Sequence, residues 1–360
     1  MEIYLRRIER AQEIMRREGV ELLVVAGGAS YRYFTGEARE RGLLLIPQQG
    51  QAALLLPESE ARSYTGELEI LPYLAMPQLI SRVSAFASRL GSEPRTAVVA
   101  EANTPLYFLE HLSGAIPRFE VRVARRIMTE LRLRKDRAEL KAVRRAARLA
   151  CDAMEHALEL LAPGKREAEI AAELECRLRR QGAELARAGV CSGERSASPE
   201  RSATAKKMRR HEPVVVSISA CCDGYHAELA RVAVLGSAGG ELHELHSAFL
   251  EMRDRAMEIL KPGVKAMEVE KEVTLLAYER GCGELYPGGF VHGIGLSAEE
   301  APHYEAYPED ALLELVENST LAAGHALLGS GMAGVRVEDT VLLRGSGKVL
   351  TRFPREIAEL

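Results

Sequence analysis

Tryptophan is absent from the 360 residues, and Phe, Trp and Tyr together make up only 5% of the chain. A stacking platform for single-stranded nucleic acid needs aromatics interleaved with basic residues, and none interleave with the basic stretch at 121–150. Long apolar runs are missing too: none approaches the roughly 18 residues that a membrane-spanning helix requires. The opening MEIYLRRIERAQEIMRREG reads as a charged amphipathic helix and lacks the apolar stretch of a secretory signal, so a cytoplasmic protein is expected. Six cysteines (Cys151, Cys176, Cys191, Cys221, Cys222, Cys282) are too few for a disulfide scaffold, and no C-x-x-C pair suggests a zinc ribbon. Charge of neither sign dominates, since 48 Lys and Arg face 52 Asp and Glu for a net −4. Asparagine occurs only at Asn103 and Asn318, a scarcity shared with thermophilic proteins and with GC-rich coding.

What is present is 47% apolar residues, enough for a sizeable core, in a chain long enough for two domains. Residues 1–125 alternate helical patterns with short buried strands such as ELLVVAG (21–27), GLLLIP (42–47), AALLLP (52–57), TAVVAE (96–101) and FEVRVA (119–124), which indicates an α/β layer domain with a mixed sheet. GLLLIP and AALLLP, separated by QQGQ, read as a hairpin. From Ile127 to Leu161 neither Gly nor Pro occurs, and one or two long helices are expected to open a second domain spanning 126–360. Residues 121–150 carry 11 basic and 3 acidic side chains, a pattern that fits a solvated helix face.

An internal repeat organises the rest. LAPGKREAEI (161–170) and LKPGVKAMEV (260–269) share L-x-P-G and then E followed by a β-branched residue, in the same register. Strand candidates VVVSISA (214–220) and ARVAVLG (230–236) follow the first unit, as HALLG (325–329) and DTVLLRG (339–345) follow the second. Two pseudo-equivalent halves of helices and antiparallel strands are the natural reading.

The stretches YRYFTG (31–36), SGERSASPERSATAKKMRRHEPVVVSIS (192–219), DGYHAELAR (223–231), VHGIGLSAEEAP (291–302) and GVRVEDT (334–340) resemble the Xaa-Pro aminopeptidase, prolidase and creatinase family, metallopeptidase family M24, along essentially the whole chain. The resemblance implies an α/β N-terminal domain of the creatinase/prolidase type and an α+β C-terminal "pita-bread" domain with an internal pseudo-two-fold repeat. It also implies a centre of two divalent ions held by two aspartates, one histidine and two glutamates. Carried over position by position, the first aspartate falls on Ser217 and the second on Glu228. The histidine is His292 and the last glutamate is Glu338, while the other glutamate falls on Gly324. Two helper histidines fall on Glu200 and Glu299. The metal-free relative, creatinase, needs the same first histidine and a glutamate after the strand turn, and those positions are Glu200 and Ala230.

On this reading most of the dinuclear centre is lost, with no catalytic residue assigned, no metal or other cofactor expected, and pocket remnants Glu200, Glu228, His292, Glu299 and Glu338 around the substituted positions Ser217 and Gly324. An inactive homologue that keeps a pocket for a small peptide, an amino-acid derivative or a partner protein is expected, and the resemblance implies a homodimer. Alternatively, Glu228, His292 and Glu338 hold a single divalent ion (Mn, Co or Zn) in a mononuclear Xaa-Pro aminopeptidase, dipeptidase or other C–N hydrolase, with Glu200 or Glu299 as base. Another alternative is an RNA- or protein-binding module, suggested by the five basic residues of RSATAKKMRR (201–210), among them Lys206, Lys207, Arg209 and Arg210. The balanced charge argues against nucleic acid. A Cys221 or Cys222 thiolate beside His226 or His292 is conceivable, although small buried packing residues fit that strand better.

Overall fold

The structure is a computed structural model, and it describes residues 2–38, 42–90, 96–100, 104–116, 122–199, 202–328 and 334–360. The chain divides into two compact units, 1–132 and 133–360. In the first, β1 (Leu22–Ala26), β2 (Leu43–Pro47), β3 (Ala53–Pro57), β4 (Glu69–Tyr73) and β5 (Ala97–Val99) form a mixed sheet of order β4, β3, β2, β1, β5. The β2–β3 hairpin is antiparallel, as the two apolar runs around QQGQ suggested, whereas β1–β5 and β3–β4 are parallel. Helices α1 (Glu2–Glu18), α2 (Gly28–Thr35), α3 (Glu58–Ala61), α4 (Met76–Ser88) and α5 (Leu106–Ala115) accompany it. Most of the expected strand at 119–124 lies outside the described residues, but Val123 bridges to Val99 in parallel.

The Gly- and Pro-free stretch folds as two helices, α6 (Arg125–Leu133) and α7 (Arg137–Leu160). The break between them is Asp136, whose carboxylate accepts from the Ala138 and Glu139 amides while Glu139 accepts from the Asp136 amide. That reciprocal cap stops one helix and starts the next.

In the second unit α8 (Glu167–Arg180), β6 (Leu185–Ser192), β7 (Pro213–Cys222) and β8 (Tyr225–Val234) follow α7. Next come α9 (Gly240–Ile259), α10 (Ala266–Glu279), β9 (Val291–Gly293), β10 (Thr320–Leu327), β11 (Val335–Arg344), β12 (Ser346–Val349) and β13 (Ala358–Glu359). One sheet runs β6, β7, β8, β11, β10, β9, with β12 on β11 and β13 on β8. The L-x-P-G repeat is the turn between paired helices. Leu161 and Leu260 end α7 and α9, Gly164 and Gly263 take φ of 88° and 90°, and the Arg166 and Lys265 amides donate to Glu169 and Glu268 at 3.0 and 2.9 Å. Only glycine takes that left-handed turn without a Cβ penalty.

Helices α7 and α8 cover one face of β7 and β8 through Val214, Val216, Ile218, Ala220 and Leu229. Helices α9 and α10 cover the equivalent face of β10 and β11 through Leu321, Ala323, Val337 and Val341. Because strand side chains alternate, the opposite face of the same strands is free to carry the polar residues. Among the described residues, no helix is long and apolar enough to cross a membrane.

Candidate functional site

Sheet register builds the site. Ser217 of β7 pairs with Ala230 of β8, Ala230 with Glu338 of β11, and Glu338 with Gly324 of β10. One pleat away, Ser219 pairs with Glu228, and Ala322 with His292 of β9. Directly paired residues and residues two apart share a face, so strands from both halves of the repeat present their polar residues on one side. A cleft of about 610 Å³ opens there, lined among others by Arg187, Ser217, Ser219, His226, Glu228, Glu299 and Glu338.

Glu228 and Glu338 of this lining join His292 in a cluster in which one donor atom from each lies within 4.8 Å of the others. Glu228 and Glu338 are 8% and 3% exposed. The His292 Nδ1 faces the Gly293 carbonyl at 3.1 Å, which leaves Nε2 turned to Glu338 Oε1 at 3.8 Å. Backbone anchoring of one ring nitrogen to free the other is the usual preparation of a histidine ligand. Burial pulls the imidazolium down, but Glu338 and Glu228 outweigh it and hold the His292 pKa up at about 9. Two carboxylates and an imidazole match the donors that zinc, manganese and cobalt accept, so this trio fits one divalent ion. Arg336 approaches the other Glu338 oxygen at 3.5 Å and steadies that carboxylate.

The positions where the resemblance puts further ligands behave differently. Ser217 points into the cleft with a neutral hydroxyl, a weak donor for a hard cation. Gly324 cannot be a carboxylate in this backbone. Its φ is +119°, and a Cβ there would meet the Val337 carbonyl oxygen at 2.1 Å. Glu299 is on the cleft wall with its side chain half exposed and Oε2 4.0 Å from His303 Nε2. Glu200 lies outside the described residues. Ala230 sits in the row between Ser217 and Glu338.

Cys221 and Cys222 are buried in β7, and burial raises the Cys222 thiol, which packs against Ala146, Ala147 and Ala227. A thiolate nucleophile does not form under such conditions. In the basic run, Lys206 is tied to Ser192 Oγ and Glu212 at 2.7 and 2.6 Å. Two cleft residues escaped the motif reading. Arg187 lies in the otherwise unremarked strand β6. His226, whose H-x-E spacing to Glu228 is too short to signal anything by itself, lines the cleft with an Nδ1 that has no hydrogen-bond partner among the described residues, and burial lowers its pKa. The signal for both was strand alternation, since Arg187 shares a face with Gly189, and His226 with Glu228.

A family description for metallopeptidase family M24 matches residues 141–345, and one for the creatinase/prolidase N-terminal domain matches residues 7–134. The chain belongs to metallopeptidase family M24. It is 27% identical over 360 residues to the Xaa-Pro dipeptidase of Pyrococcus horikoshii, covering 99% of this chain and all of that one. With the Xaa-Pro dipeptidase of Pyrococcus furiosus it shares 28% over 356 residues, covering 98% and 99%. Among solved structures it superposes on the Xaa-Pro dipeptidase from Bacillus anthracis with a TM-score of 0.89 at 25% identity, covering 99% of this chain and all of that one. The prolidase from P. horikoshii gives 0.88 at 25%, covering 98% and 99%. The expected α/β N-terminal domain and pita-bread C-terminal domain are therefore the fold.

Two expectations are corrected. Full-length likeness to Xaa-Pro dipeptidases and the intact Glu228, His292 and Glu338 cluster overturn the reading of an inactive homologue, and with it the expectation of no metal. The alternative of a single ion on Glu228, His292 and Glu338 named the same three residues that the cross-strand register brings together, and the findings favour it over the main expectation.

Proposed function

We propose that this protein is a metal-dependent Xaa-Pro dipeptidase that works with a single divalent ion held by Glu228, His292 and Glu338. The observation that carries it is the convergence of those three donors, two of which (Glu228 and Glu338) line an open cleft, from strands of both halves of the repeat. The support from likeness is that relatives matched over full length are Xaa-Pro dipeptidases.

A divalent ion in that position supplies Lewis acidity toward a peptide carbonyl and lowers the pKa of a water it binds. The residues of the chain do the rest. Glu228 and Glu338 provide the negative charge that retains the cation, and the Gly293 carbonyl fixes the His292 ring with Nε2 toward it. Glu299, which lines the same cleft, is the carboxylate assigned to accept a proton from attacking water and pass it to the departing prolyl nitrogen. Ser217 and Gly324 limit the centre to one ion. Cytoplasmic location and a homodimer complete the proposal. Six free cysteines support the former, the family resemblance supports the latter, and sedimentation of the purified chain tests it.

The decisive experiment loads purified protein with Mn²⁺, Co²⁺ or Zn²⁺, counts bound metal by elemental analysis and follows proline release from Ala-Pro. About one ion per chain and measurable release are expected, both lost in Glu338→Ala. Absence of release with every metal and every Xaa-Pro dipeptide tried would sink the proposal.

A further inference from the structure

Much of the basic stretch that opens the second unit lies on α7, where the cleft makes no use of it. Lys141, Arg145, Arg148, Asp152, Glu155 and Glu159 are all exposed, and their spacings alternate between four and three residues. That rhythm places them in one straight stripe about 27 Å long on the solvent face of the helix. The stripe changes sign once, from three cations to three carboxylates. Arg145 approaches Asp223 at 3.8 Å and Glu159 approaches His156 at 3.0 Å, while the other four form no ion pair among the described residues. Within each half, like charges stand one turn apart and repel. The last turn of α7 holds Glu159 and no basic residue, although a helix C-terminus favours cations. The neighbouring α8 has the opposite order, with Glu167 and Glu169 in its first turn and Arg177, Arg179 and Arg180 in its last. Helix α8 is charged to suit itself, and the stripe of α7 is charged against itself.

A second copy of α7 running antiparallel removes the conflict. Lys141 and Glu159 lie nine residues either side of Ala150, Arg145 and Glu155 five, and Arg148 and Asp152 two. A single two-fold axis level with Ala150 therefore sets Lys141 against Glu159 of the second copy, Arg145 against its Glu155 and Arg148 against its Asp152. Symmetry doubles these three pairs to six. We infer that the solvent face of α7 is the contact surface between two copies of this chain, paired in that register. The inference rests on the homodimer reading and assigns its interface. A polyanion such as RNA would engage the cationic half alone and be repelled by the carboxylates that continue the same stripe. A partner must carry the inverse pattern to satisfy both halves, and the chain itself carries it. Arg145 also lies beside the end of α8, since a Cβ at Gly182 would meet its guanidinium at 3.0 Å, so the exposed Arg179 and Arg180 widen the cationic half. A contact built from charge gives register and salt dependence more than tight affinity.

Sedimentation of the full-length chain at about 50 μM reads this surface without metal or substrate. A dimer is expected in low salt, with a dissociation constant that rises at least about tenfold between about 50 mM and 500 mM NaCl. Two double variants reverse one half each: Lys141→Glu with Arg145→Glu, and Glu155→Lys with Glu159→Lys. Either one turns four of the six attractive pairs into repulsive ones and should raise the dissociation constant by at least about 100-fold. An equimolar mixture of the two variants should dimerise as the wild type does, because every altered residue then faces an opposite charge across the axis. That recovery also excludes misfolding as the cause of the loss. A variant that dimerises alone as tightly as the wild type assigns the contact to another surface, so the inference falls and the homodimer reading stands. A mixture that stays monomeric likewise overturns the inference. A wild-type chain that is monomeric at both salt concentrations overturns the inference and the homodimer together.

Discussion

Glu338 and Asp339 are neighbours on β11, both acidic and both buried, yet strand alternation sends them to opposite faces with opposite fates. On the helix-covered face, Asp339 meets Arg231 at 2.7 Å, Arg355 at 3.1 Å, Arg253 at 3.5 Å and the Thr351 hydroxyl at 3.0 Å. Arg231 in turn donates to the carbonyls of Ala230, Glu338, Phe353 and Pro354. On the cleft face, Glu338 shares its surroundings with a second carboxylate, an imidazole and Arg336. One acid is fully matched by cations. The other shares one imidazole and one guanidinium with a second carboxylate on the cleft side, where a bound ion can take the place of the imidazole's proton, and this difference separates a structural carboxylate from a candidate ligand.

The comparison breaks most visibly in stability. Asp339→Ala leaves three arginines facing a buried void, and a loss of about 3–5 kcal/mol is expected in denaturant unfolding. Glu338→Ala removes a partner of Arg336 and His292, so unfolding stability should fall, but by less than for Asp339→Ala with its three arginines, while metal-dependent proline release falls by at least about 100-fold. Equal destabilisation by both variants would erase the distinction. Gly324→Glu tests the second ion position. A side chain at φ +119°, aimed at the Val337 carbonyl, should cost about 3 kcal/mol or more and add no second ion by elemental analysis. A stable variant with two ions would contradict the one-ion centre.

These two faces also mark what a sequence can disclose. The L-x-P-G repeat, the L-L-L-I-P hairpin and the strings around His292 and Glu338 are local signals, legible because turns and strand alternation are written in consecutive residues. The helix break at Asp136 was equally local, since Asp136 and Glu139 form a D-x-x-E cap, but unbroken apolar spacing across it merges α6 and α7 into one pattern. Convergence of Glu228, His292 and Glu338 is not local: it depends on which residue of β8 lies opposite which residue of β11, and on β10 intervening between β11 and β9. The same gap hid Arg187, whose nearness to Glu228 passes through Ser219. Gly324 read as a lost ligand, and only the backbone reveals that it is also a close approach.

A milder effect is expected where a carboxylate serves the fold of the first half. Glu167, fully buried at the start of α8, accepts from the amides and hydroxyls of Ser192 and Thr204 and pairs with Arg195 at 3.2 Å. Burial pushes its carboxyl up, but those hydrogen bonds prevail and hold it below the usual carboxylate range. A depressed folded-state pKa stabilises above the unfolded value and is lost as pH falls through the folded one. Glu167→Gln should therefore lower stability by about 1–2 kcal/mol at pH 7. The gap to wild type should close as pH drops below about 4. A gap that stays constant down to the acid transition would show that hydrogen-bond geometry, not charge, is what Glu167 contributes.

The smallest expected effect is the most informative about the cleft face. Ser217 stands in the row with Ala230 and Glu338, so Ser217→Asp puts a third carboxylate on the floor without a backbone conflict of the kind found at Gly324. Added negative charge raises affinity for a divalent ion, by about tenfold if the new carboxylate reaches the same ion. Stoichiometry should stay at about one, because the Gly324 position cannot supply the opposite side of a second centre. Competition between Mn²⁺ and a metallochromic chelator measures the affinity, and elemental analysis measures the count. Unchanged affinity would place Ser217 outside the ion's reach. A count of two would mean that the loss of one aspartate, and not the glycine, is what confines this centre to a single metal.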